Sequence, residues 1–176
     1  MAIEGARSGS FAGGDWKDGR VKKLGYIMAW SMVFYHPLEH VAWAQWTMPK
    51  LMPRVDGNRL SAWSCRFWVV YIFADLVSSI LKNRELEERR LKLKLVKGGH
   101  GEGGGDGDEL KEKEIEKSML MNKLQIVRCA FFTGPCISWS LDDWATNPWL
   151  TENVCNGLSL AEAVTCMYQS LCSLRN

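Results

Sequence analysis

At 176 residues the chain has room for one domain, or for one domain with an appended segment. Its formal charge of 22 − 20 = +2 selects no partner, yet the charge is unevenly placed: residues 1–97 hold 16 basic and 9 acidic groups, and residues 98–176 hold 6 and 11. The first half therefore favours anionic surfaces. Six cysteines, at 65, 129, 136, 155, 166 and 172, show neither a C-x-x-C pair nor the Cys/His spacing of a zinc site, and reduced thiols are expected.

Residues 1–15 are rich in Gly, Ala and Ser, contain no apolar run, and are expected to be disordered. A basic patch over 16–25 leads into an aromatic-rich stretch, 26–35, read as helical. Pro37 fits the first turn of a new helix with His36 at its cap, and that helix continues through Glu39, His40, Trp43 and Trp46 until Pro49 stops it. His36, Pro37, Glu39 and His40 are accordingly expected to form a corner between two helices. Residues 48–58 carry Pro49, Pro53 and Asp56-Gly57 and form a loop, from which Asp56 or Asn58 caps the next helix.

The long element that follows organises the chain. Residues 63–81 are apolar at 14 of 19 positions, and residues 82–97 carry seven Lys or Arg against three Glu. Nineteen residues make about 28 Å of helix, close to the roughly 30 Å hydrocarbon core of a bilayer. Nine Leu, Ile, Val or Phe side chains contribute about −3 to −5 kcal/mol to insertion, and Asp75 returns about +2.5 to +3.5 kcal/mol. Asp75 therefore needs a partner, a protein-facing side or a position short of full insertion. The membrane-anchoring residues expected here are Trp63, Phe67, Trp68, Ile72, Phe73, Leu76 and Ile80. Lys82, Arg84, Arg89, Arg90, Lys92 and Lys94 are expected to meet anionic headgroups. The plainer alternative is a buried core helix with a solvated charged extension. Residues 91–95 alternate with period two, but the helix formers of 81–90 favour a continued helix.

Seven Gly in ten residues make 98–107 a flexible linker between two helical halves, 16–97 and 108–176. Residues 108–132 restart as helix with a Glu109–Lys113 pair and an apolar face at Leu120, Leu124, Val127 and Phe131. Gly134-Pro135 is expected to break that helix. Residues 136–149 are read as a short helix or irregular, and 158–174 as a last hydrophobic helix containing one acid, Glu162. The fold class expected is all-α: a membrane-associated helical protein with a long central helix, a Gly-rich linker and a C-terminal hydrophobic helix.

His36-Pro37-Leu38-Glu39-His40 matches H-x-x-E-H, in which two His four apart on a helix bind zinc and the Glu acts as base. With Pro37 starting a helix, the two rings would not share a face, so no metal is expected. The Gly-rich run lacks the Lys-Ser or Lys-Thr of a phosphate loop, Asp142-Asp143 reads as a solvated face, and no nucleophile signature is present, so neither enzyme activity nor a cofactor is expected. Aromatics are grouped in apolar segments rather than interleaved with the basic residues, which argues for membrane headgroups over nucleic acid. Trp43, Trp46, Trp63, Trp68, Trp139, Trp144 and Trp149 lie near the ends of apolar segments, as interfacial indoles do.

Four blocks taken together resemble a known family. These are Trp16-Lys17-x-Gly19-Arg20-x-Lys22-Lys23-Leu24-Gly25; Tyr35-His36-Pro37-Leu38-Glu39-His40-Val41-Ala42-Trp43; Ser61-x-Trp63-Ser64-Cys65-Arg66-Phe67-Trp68; and Ile137-Ser138-Trp139-Ser140. In order and approximate spacing they resemble the peroxisomal membrane protein 11 (peroxin-11) family over roughly residues 16–174. The resemblance implies a mostly helical protein of the peroxisomal membrane that elongates and constricts the organelle before division. It also implies self-association and work with tail-anchored fission adaptors and a dynamin-type GTPase. The family's N-terminal portion, with its leaflet-inserting amphipathic helix, has no counterpart in the matched blocks.

The leading expectation is a non-enzymatic peroxisomal membrane protein that promotes elongation, proliferation and fission by binding lipid and forming homo-oligomers. A small-solute pore is the first alternative, with Asp75 and Glu162 as the acids that would line it. A soluble helical adaptor hinged at 98–107 is the second.

Overall fold

A computed structural model describes residues 16–99 and 106–174. Among these residues the chain forms four helices and no strand: α1 (Gly19–Thr47), α2 (Gly57–Gly99), α3 (Asp106–Trp139) and α4 (Glu152–Leu174). The all-α class is as the sequence predicts. The expected disorder of 1–15 and the centre of the expected linker, 100–105, lie outside the described residues. The linker's edges are helical, since Gly98 and Gly99 close α2 and Asp106 and Gly107 open α3.

Local signals set most boundaries. The Asp18 side chain accepts the Arg20 N–H at 2.9 Å and so caps α1. After Thr47, Pro49 stops the helix, and the Met48 N–H closes it by donating to the Ala44 carbonyl at 2.8 Å. Asp56 caps α2 through a 3.1 Å bond from the Arg59 N–H. At 43 residues, α2 is about 65 Å long and carries 91–95 as helix. On α3, Lys113 and Glu109 meet at 2.7 Å across one turn.

Two prolines do not act as the sequence predicts. Pro37 lies inside α1 and Pro135 inside α3, so the corner at His36 to His40 and the break at Gly134-Pro135 are both absent. Local rules penalise an interior proline because it removes one hydrogen bond and crowds the preceding turn. Packing outweighs that cost here. Phe34 stacks on Phe67 with centroids 5.1 Å apart and Tyr35 meets Trp68 edge-on at 4.9 Å, which holds α1 along α2 on the approach to Pro37. Pro135 is itself fully buried.

Each helix packs antiparallel along the next in the chain, giving a row with α2 and α3 in the middle. The α1–α2 pair runs from Lys17 at Glu85 to Trp46 at Asn58. The α2–α3 pair runs from Arg90 at Glu116 to Arg66 at the Ser140 carbonyl. The α3–α4 pair runs from Lys117 at Ser173 to Ser138 at Leu150.

Small side chains dominate the seams between these helices. Ala29, Ala42, Ala62, Ala74, Ser31, Ser64, Ser78, Ser79, Ser138, Cys65, Cys129 and Cys136 are buried, with Ile72 at the centre of the core against Trp68, Tyr71 and Phe132. Close backbone approach through Ala, Ser and other small residues is how helices associate in lipid, where burying large apolar side chains gains little over leaving them in hydrocarbon.

Candidate membrane-facing surface

Large apolar side chains point outward along this row. On α2 they form one stripe at Trp63, Val70, Phe73, Val77 and Ile80, and on α1 a second at Ile27, Trp30, Phe34 and Val41, all at helical spacings of three, four or seven. The stripes meet over a groove of about 330 Å³ lined by Ile27, Trp30, Phe34, Phe67 and Val70. A third stripe on α4, at Leu160, Val164, Met167 and Leu171, is 58–67% exposed. Of the most apolar part of α2, 39% is buried. Among the described residues, α2 is the one helix long and apolar enough to cross a membrane.

The seven residues predicted to anchor the chain divide between two faces. Trp63, Phe73 and Ile80 point outward. Phe67 stacks on Phe34, Trp68 sits between Tyr35 and Phe132, and Ile72 and Leu76 belong to the core. Val70 and Val77, which complete the outward stripe, were not singled out, though a heptad count from Trp63 finds both. On α3 the apolar face read from the sequence turns outward at Leu120 and Val127, and Met119, Cys129 and Cys136 take the inner positions.

The two ends of the apolar band differ. The end of α1, the start of α2 and the segment after α3 converge, and exposed Trp43, Trp46, Trp63 and Trp149 gather there. The Trp46 and Trp144 indoles both donate to Asn58, at 3.0 and 3.2 Å. Indoles with an apolar body and a satisfied N–H suit a membrane–water boundary.

The other end carries charge. Arg84, Lys92 and Lys94 are exposed. The remaining three basic residues are engaged within the fold: Arg90 pairs with Glu116 at 2.5 Å, Arg89 with Glu85 at 2.6 Å, and Lys82 and Arg89 lie over the Trp16 ring. Glu85 also accepts the Lys17 N–H at 3.1 Å, tying the start of α1 to α2. Burial pushes the Glu85 carboxyl up, but hydrogen bonds from Arg89 and from the Lys17 and Asp18 backbones, with the Arg89 charge, hold it below its ordinary 4.5.

Polar groups inside the row form one connected set. Asp75 Oδ2 accepts from Gln125 Nε2 at 2.5 Å and from the Cys129 thiol at 3.6 Å, so the partner that Asp75 requires comes from α3. Arg128 donates to Glu162 at 2.8 Å, to Gln169 at 2.8 Å and to Gln125 at 3.3 Å, joining α3 to α4. Asp75, Arg128 and Glu162 thus line the same cavity of about 500 Å³. The link from Arg128 to α4 has no local sequence signal, because Glu162 and Gln169 lie 34 and 41 positions away.

His36, Glu39 and His40 share one face of the uninterrupted α1, where one ligand-type atom from each lies within 4.8 Å of the others. The two rings are 6.1 Å apart. They form a side-chain cluster rather than the expected corner, because the helix does not turn at Pro37.

Outward apolar stripes, small-residue seams and a connected polar network define a class: an all-helical protein that, among the described residues, has one helix long and apolar enough to cross a membrane. The peroxisomal biogenesis factor 11 (PEX11) family matches residues 8–132, and the chain belongs to that family. Its role therefore lies in peroxisome biogenesis. No curated protein and no solved structure matches the chain.

Proposed function

We propose that the chain is a peroxisomal membrane protein that promotes elongation, proliferation and fission of the organelle by binding lipid and by self-association. The observation that carries this reading is the distribution along α2, where Ala62, Ala74, Ser78 and Ser79 share the buried face with Ile72 while Phe73, Val77 and Ile80 are exposed. In water such an exposed apolar surface is a liability, whereas in lipid it is the matched one. Homo-oligomers, tail-anchored adaptors and a dynamin-type GTPase are the partners this role would use. Alkaline carbonate extraction of the tagged chain, with imaging of peroxisomes on overexpression, tests it. Retention in the membrane with elongated or more numerous peroxisomes is expected; release with unchanged peroxisomes overturns it.

The cavity between α2, α3 and α4 favours a second reading, a small-solute pore lined by Asp75, Arg128 and Glu162. Conductance of the reconstituted chain that ignores both Asp75→Asn and Glu162→Gln would remove it.

A further inference from the structure

We infer that His36, Glu39 and His40 form a surface site for a divalent transition-metal ion of the zinc class. Zinc, cobalt and nickel accept two imidazoles and a carboxylate, and a zinc centre with three protein ligands keeps one position for water. Proline at position 37 argued against such a site only if it began a new helix. In the structure α1 continues through it, so His36 and His40 are one turn apart on the same face.

The ligand atoms lie within 4.8 Å of one another. Ligands about 2 Å from one tetrahedral ion stand about 3.3 Å apart, so small side-chain rotations close the gap.

Two further contacts orient the ligands as supporting groups do in metal sites. His40 Nδ1 lies 2.6 Å from the His36 carbonyl oxygen. A carbonyl only accepts, so Nδ1 carries the proton and Nε2 keeps the lone pair a metal requires. The Tyr35 hydroxyl donates to Glu39 Oε1 at 2.5 Å, which fixes the carboxylate and leaves Oε2 available. His36 and His40 are exposed, and they lie on the part of α1 that approaches the Trp-bearing end, where ions from solution have access. This inference stands apart from the proposed membrane role and does not depend on it.

The test is titration of the purified full chain with Co²⁺, read by visible absorption, followed by displacement with Zn²⁺. The chain has three histidines and six cysteines, so His100→Gln and the Cys166→Ser, Cys172→Ser double variant serve as controls. One equivalent of Co²⁺ is expected, without the near-ultraviolet band of a cobalt–thiolate bond. Uptake should be lost in His36→Gln and in His40→Gln, weaken about tenfold in Tyr35→Phe, and stay unchanged in both controls. Circular dichroism should show the same helicity throughout, since both His side chains are exposed. Failure of the parent chain to take up one equivalent, undiminished uptake after both His substitutions, or loss of uptake in the cysteine variant would each overturn the site.

Discussion

Asp75 Oδ2 and Gln125 Nε2 meet 2.5 Å apart across the α2–α3 seam, in the middle of the most apolar stretch of the chain. Asp75 is 7% exposed, so its carboxyl has little access to water and depends on what α3 supplies. Gln125→Leu removes the amide donor and should destabilise the chain by about 1–3 kcal/mol. Asp75→Asn, which keeps a hydrogen-bonding oxygen, should cost less. Thermal unfolding of the detergent-purified variants checks the order; equal midpoints would mean that the contact carries no stability.

The two prolines show where sequence reasoning reached its limit. The all-α class, the Pro49 stop and the helical 91–95 follow from signals within a few residues and are present in the structure; of the caps offered by Asp56 or Asn58 the structure uses Asp56, and of the alternatives open to Asp75 it supplies a partner. Pro37 and Pro135 also carry a strong local signal, yet neighbouring helices hold both within continuous ones. Which side of 63–81 faces outward depends on α1 and α3 covering the small residues, and the Arg128 network joins positions far apart in the chain. A heptad count recovers the outward stripe but not the partner covering the other face.

Pro37→Ala separates a helix interior from a corner. Alanine restores the N–H that the Val33 carbonyl lacks, and the substitution should stabilise the chain by about 1–3 kcal/mol, with a higher unfolding midpoint. A lower midpoint would mean that the proline shapes a turn after all.

Glu85 makes the attachment of the start of α1 sensitive to acid. Its carboxyl is held below the ordinary 4.5, so the stabilisation is complete above about pH 4.5 and fades as the pH falls through the folded value. Hydrogen-exchange protection of the Lys17 amide should therefore drop between pH 6 and pH 3, and Glu85→Gln should lower it at pH 6 as well. A protection factor unchanged by both would contradict the Lys17–Glu85 bond.

The proposed headgroup binding by the basic extension would fall to its exposed residues. Reversing Arg84, Lys92 and Lys94 to Glu removes at least about 1 kcal/mol each, and flotation with anionic vesicles should weaken about a hundredfold at low salt. Neutral vesicles should show no difference. Equal flotation with anionic vesicles would assign these charges to solvent.

The most direct test of the account is whether the outward stripe touches lipid. The photo-crosslinking residue benzoylphenylalanine, placed at Phe73 or Val77 of the chain in membranes, should give lipid adducts by mass spectrometry. At Ile72, inside the row, it should give adducts within the protein, and at Leu95, 76% exposed on the charged extension, no adducts to the lipid tails. Lipid adducts at Phe73 and Val77 alone would support the membrane-facing surface. Their absence there, with solvent reaching both positions, would contradict it and make the row of helices a soluble fold.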